Sequence, residues 1–92
     1  MNTNLVITPS RTRQYAPLTI RFAAERDEPA VIRLSALDSA RVPAGLLLLA
    51  EEHGELRAAL SLNDGRTIAD PFHRTAHLVE LLLAAASGAT AR

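Results

Sequence analysis

Ninety-two residues at zero formal charge and without a cysteine bound this chain to one small domain with a single core. They also remove disulfides, thiol nucleophiles and thiolate metal sites. With ten arginines, no lysine and ten acidic residues, no long-range field draws the chain to nucleic acid or to an anionic membrane.

Met1–Pro17 reads as an N-terminal arm. Leu5-Val6-Ile7-Thr8 has the β-branched content of a short strand that would pair with a sheet edge, but Pro9 and Pro17 interrupt any regular ladder. Asn2–Asn4 is uncharged and the apolar run Leu5–Ile7 is too short for a signal peptide, so a cytoplasmic protein is expected.

From Leu18 to Ala23 the pattern alternates, with Leu18, Ile20 and Phe22 on one face and Thr19 and Arg21 on the other, as in a half-buried strand. Asp27 is placed to cap a helix with Pro29 in its first turn. Ala30, Val31, Leu34 and Leu37 then form an apolar stripe, which predicts an amphipathic helix over roughly 28–39. Leu46–Leu49 is continuously apolar, the signature of a strand covered on both faces. Gly54 marks a hairpin turn. Leu56, Ala58, Leu60 and Leu62 alternate with Arg57, Ala59 and Ser61, and Asn63-Asp64-Gly65 supplies the left-handed positions of a tight hairpin.

A short strand at Arg66–Ala69 meets Asp70-Pro71, which stops it and opens a helical segment. Leu78, Val79, Leu81, Leu82, Leu83 and Ala84–Ala86 place apolar side chains nearly all round that last helix, with Glu80 as the lone charge between His77 and the tail. This run is too short to cross a bilayer, which needs about 20 residues. Ser87-Gly88 is expected to end the helix. The reading is therefore an arm at 1–17, one domain at 18–87 and a tail at 88–92. Its class is α+β: an antiparallel sheet of about four strands with two main helices, in β-α-β-β-β-α order.

The stretches LTIRFAAERDEPAVIRLSAL and GLLLLAEEHGELRAALSLNDGRTIADP, in that order and followed by PFHRTAHLVELLLAAA, resemble the N-terminal half of the GNAT acetyltransferase superfamily. The first looks like that family's opening strand and helix, and the second like its three-strand meander. The resemblance implies a loop before the last helix whose bare amides hold the pyrophosphate of acetyl-CoA, on residues Arg74, Thr75, Ala76 and His77. That loop carries glycines, because a Cβ keeps phosphates away from the amides. Here Arg74 matches a basic loop residue, whereas Thr75, His77 and Val79 stand where glycines are expected. A helix N-terminus alone supplies about 0.3–1 kcal/mol for an anion, and micromolar binding needs about 8 kcal/mol. The family's remaining strands and final helix are not in this sequence either. The expectation is a scaffold kept without acetyl-transfer chemistry, with no cofactor; an acyl-CoA-binding or acetyltransferase-related role is the alternative.

Other candidate residues have plainer readings. His73 and His77, four apart, would share a helix face with Asp70 and Glu80, but no further histidine pair or cysteine completes a metal site, and Asp70 is explained as an N-cap. Glu51, Glu52, His53 and Glu55 cluster at a hairpin tip, where solvation works against the split pKa values that acid–base catalysis requires. The serines lack a nucleophile-elbow context, and no aromatic platform invites single-stranded nucleic acid. Neither a catalytic residue nor a metal ligand emerges. What remains is the last helix: Leu78, Leu81, Leu82 and Leu83 are the expected interface of a homodimer or a complex with a protein partner.

Overall fold

The structure, a computed structural model, describes residues 17–90; the strand reading of Leu5–Thr8 lies outside them. The elements are β1 (Leu18–Phe22), a 3-10 turn (Glu25–Asp27), α1 (Glu28–Leu37), β2 (Leu47–Glu52), β3 (Glu55–Ser61), β4 (Thr67–Ala69) and α2 (Ala76–Thr90). This is the expected β-α-β-β-β-α order. The four strands form one antiparallel sheet in sequence order, β1-β2-β3-β4.

Central position explains the unbroken apolar run of β2. Successive strand residues point to opposite faces, so Leu47 and Leu49 enter one core with Val31 and Leu34 of α1, Ala59 and Ile68. Leu48 and Ala50 enter the other, with Ala58, Leu60 and Leu78 and Leu82 of α2. The sheet thus lies between two helices. Leu49, Leu60, Ile68, Leu78 and Leu82 are fully buried, each contributing roughly 1.5–3 kcal/mol from the water it leaves.

On β3 the expected alternation holds only in part. The register to β2 shifts between Ala50 and Glu51, pairing Ala50 with Ala58 but Glu51 with Leu56. Arg57 is therefore an extra residue, a β-bulge. Leu56 packs with the α1 core while Ala58 and Leu60 pack with the α2 core, so Leu56 does not share their face.

Local chemistry sets the element ends. Asp27 precedes α1 but makes no side-chain bond to its own helix. Its carboxylate turns back to accept from the Ala24 amide at 2.7 Å and from Arg21. At the other end Ser39 takes a left-handed φ of 52°. The Ser39 amide donates to Ala36 and the Ala40 amide to Ser35, the pair of bonds that closes a helix in a Schellman motif. The hairpin turn expected at Gly54 is tight, whereas the one expected to be tight at Asn63-Asp64-Gly65 is not. His53 and Gly54 both have positive φ, a two-residue type I′ geometry. The Asn63-Asp64-Gly65 segment is positive only at Gly65, within a wider loop that returns the Gly65 amide to the Ser61 carbonyl.

α2 begins at Ala76, six residues later than Asp70-Pro71 predicts, and continues through Ser87-Gly88 to Thr90. Among the described residues no helix is long and apolar enough to cross a membrane.

Candidate functional site

The segment from Asp70 to Thr75 is where the cofactor and metal expectations converge. Asp70 is buried, and its carboxylate accepts from the Phe72 amide at 2.8 Å and from His73 Nδ1 at 3.0 Å. Arg57 Nη1 approaches the same carboxylate at 3.4 Å. The Phe72 amide, then His73 and Arg57, hold the Asp70 carboxyl below the ordinary aspartate range against the opposing effect of burial. A carboxylate bonded to the amide two residues on forms a local turn that competes with helix. For that reason Asp70 does not cap α2, and the helix's first backbone bond runs from the Val79 amide to the Thr75 carbonyl.

His73 is consequently in the turn and His77 in the first turn of α2, and they do not form an i, i+4 pair on one helix face. His77 Nε2 instead faces Glu52 at 3.4 Å. Arg74, Ala76 and His77 are exposed and Thr75 is half-buried. No glycine occurs between Gly65 and Gly88, so every amide at the α2 entrance is shielded by a Cβ. Among the described residues no three His, Asp or Glu side chains form a group suited to a metal ion.

The acidic side chains of the hairpin tip are divided among separate partners. Glu51 is bonded to Arg21 at 3.0 Å, Glu52 lies beside His77, and Glu55 beside Arg57 at 3.3 Å. Each carboxylate thus has a different side-chain partner.

The predicted interface divides in two. Leu78 and Leu82 are 0% exposed and belong to the core against the chain's own sheet, so they are unavailable to a partner. Leu81 and Leu83 are 42% and 46% exposed. They occupy opposite flanks of α2. Leu83 borders a cleft of about 230 Å³ with Leu60, Leu62 and Gly65 on the β3–β4 side. Leu81 lies one turn beyond His77, whose contact with Glu52 marks the flank facing β1.

Two features were not legible as sites in the sequence. The first is a cleft of about 290 Å³ between the start of α1 and the segment before β2. It has Ala23, Val31, Val42, Pro43 and Leu46 as apolar walls and Glu25 and Glu28 among its acidic lining. Exposed apolar residues between two regular elements, Val42 and Leu46, were its only signal. The second is the outer face of β1, where Leu18 and Phe22 are 42% and 51% exposed. Its signal was the clean alternation of LTIRF, which gave the face but not that α2 leaves it uncovered.

Compared with known proteins, the chain matches no family model, no curated protein and no solved structure.

Proposed function

We propose that this chain is a non-catalytic, GNAT-like half-domain of the cytoplasm that works by self-association or by docking on a protein partner. The observation that carries this reading is α2. A helix that buries Leu78 and Leu82 completely still presents Leu81 and Leu83 to solvent, with Ala84 exposed between its polar residues Glu80 and Ser87.

Supporting it, the groups that chemistry would need are occupied in pairs: Asp70 with His73, Glu52 with His77, Glu51 with Arg21. The element order and the sequential antiparallel sheet fit the front of an acetyltransferase fold, while Thr75, His77 and Val79 deny acetyl-CoA the bare amides that its pyrophosphate requires.

Light scattering across micromolar concentrations tests the reading. A mass above the 9.9 kDa of one chain, reduced by Leu81→Glu or Leu83→Glu without loss of fold, is the expected outcome. A monomeric wild type at high micromolar concentration, with both variants unchanged in mass and stability, overturns self-association.

A further inference from the structure

We propose that two copies of this chain pair edge to edge through β1, antiparallel about a two-fold axis at Ile20. The proposal rests on the self-association reading above and moves its surface from α2 to the sheet edge on the Leu81 side.

Hydrogen-bond phase shows which backbone groups are free. The Ala23 amide donates to Leu47 and the His53 amide to the Pro17 carbonyl. In the β1–β2 register, Ala23 opposite Leu47 and Pro17 opposite His53 bracket the ladder from Leu18–Glu52 to Phe22–Leu48. Bonded and non-bonded pairs alternate in an antiparallel ladder, so Thr19 and Arg21 bond to β2. Leu18, Ile20 and Phe22 direct their amides and carbonyls away from the sheet. Among the described residues those groups meet one side-chain donor, Arg21 Nη1 on the Phe22 carbonyl at 3.3 Å, which leaves that oxygen a second lone pair.

Among the described residues the opposite edge is the more guarded of the two. At β4 the outward Ala69 amide donates to the Asp38 carboxylate at 3.0 Å, and the strand is three residues long. β1 has no proline, bulge or lysine within it and no inward charge on its apolar side, the devices that protect natural edges.

The edge is also its own complement. Under a two-fold at Ile20, each Ile20 amide meets the other copy's Ile20 carbonyl, and Leu18 pairs with Phe22 in both directions. Leucine then lies beside phenylalanine on the face bordered by Leu81. On the other face Thr19 lies beside Arg21, whose charge is already held by Asp27 and Glu51, so like charges do not meet. The product is a continuous sheet with four strands from each copy. An isologous contact of this kind closes at two chains.

A cysteine-free chain makes the register directly readable. Bonded antiparallel partners have Cα atoms about 5.5 Å apart, inside the disulfide range of about 4.4–6.8 Å. Oxidised Ile20→Cys is expected to run at twice the chain mass without reductant, whereas Thr67→Cys on the guarded edge is not. Leu18→Glu and Phe22→Lys, at exposed positions, should each raise the dimer dissociation constant at least tenfold. The double variant should recover, because the pairing sets each new carboxylate beside the other copy's new ammonium.

Three results overturn the proposal. If wild type is dimeric but both single variants keep its mass, the β1 pairing is wrong while self-association through α2 stands. If the singles lower the stability of a chain that is monomeric throughout, the edge is covered from within, with Leu5–Thr8 the candidate, and the self-association reading falls too. A dimer whose Ile20→Cys form does not cross-link refutes the register.

Discussion

Two parallel bonds of 2.7 and 2.8 Å join the Arg21 guanidinium to the Asp27 carboxylate. The same guanidinium reaches Glu51 at 3.0 Å, so one side chain ties β1 to the entry of α1 and to β2. Bidentate geometry of this kind is the strongest form of charge-assisted hydrogen bond.

Arg21, with help from the Ala24 amide, holds the Asp27 carboxyl well below the usual aspartate range. A carboxyl whose pKa is lower folded than unfolded contributes stability that is present above the unfolded value, about 3.9, and lost as pH falls through the folded one. Wild type should therefore exceed Asp27→Asn in urea stability at pH 7, with the gap narrowing steadily below about pH 5. Arg21→Ala should cost roughly 1–3 kcal/mol at neutral pH, since it leaves a mostly buried carboxylate without its cation. Equal urea midpoints for wild type and Asp27→Asn at pH 7 would show that the pair is not stabilising.

Adjacent leucines on α2 should behave very differently. Leu82 is completely enclosed and Leu81 is 42% exposed. Leu82→Ala removes core packing and leaves a cavity, costing about 2.5–5 kcal/mol. Leu81→Ala measured on the dissociated chain should fall within about 0.5 kcal/mol of wild type. Chemical denaturation at low protein concentration compares them, and similar losses would mean that α2 is rotated on the sheet.

Ser39 closes α1 from a left-handed conformation at φ 52°, which a side chain resists and glycine does not. Ser39→Gly should raise stability by about 0.5–1 kcal/mol. His53→Asn should also stabilise, because asparagine before glycine suits the type I′ turn that His53 and Gly54 form. Thermal denaturation checks both; a lower melting temperature for either variant contradicts the turn assigned there.

How much of this could be read from the sequence depended on the range of the interaction involved. The apolar run of β2 declared burial on both faces because that is a property of the strand itself. The division of Leu56 from Ala58 and Leu60 could not be seen in ELRAAL, since a bulge is defined by the partner strand. The late start of α2 was missed because Asp70 had two local options, capping a helix or bonding the Phe72 amide, and the second prevailed with His73 and Arg57 drawn around the same carboxylate. Burial of Leu78 and Leu82 with exposure of Leu81 and Leu83 required knowing how α2 is rotated, which a helix apolar on most sides does not specify. The Arg21–Asp27–Glu51 constellation spans residues distant in sequence and appears only once the register is fixed.

Acetyl-CoA is expected not to bind in the physiological range. The α2 entrance offers Thr75, Ala76 and His77 in place of glycines, and a helix terminus alone gives about 0.3–1 kcal/mol. Isothermal calorimetry decides the matter. A dissociation constant in the low micromolar range, about 8 kcal/mol, would restore a cofactor role to Arg74 and its neighbours.

Sheet order carries a consequence for how the chain assembles. β2, β3 and β4 are joined by short turns, so their pairing closes small loops, while β1 reaches β2 only after α1 and both its flanking segments have been ordered. Closing the larger loop costs more entropy before any contact offsets it, so β1 is expected to be the last strand to dock and the first to open. Amide exchange should be graded accordingly, slow at Leu48 and Leu60, which pair between β2 and β3, and faster at Arg21 and Ala23. A strand that detaches separately while the rest stays folded is also one that two chains can trade.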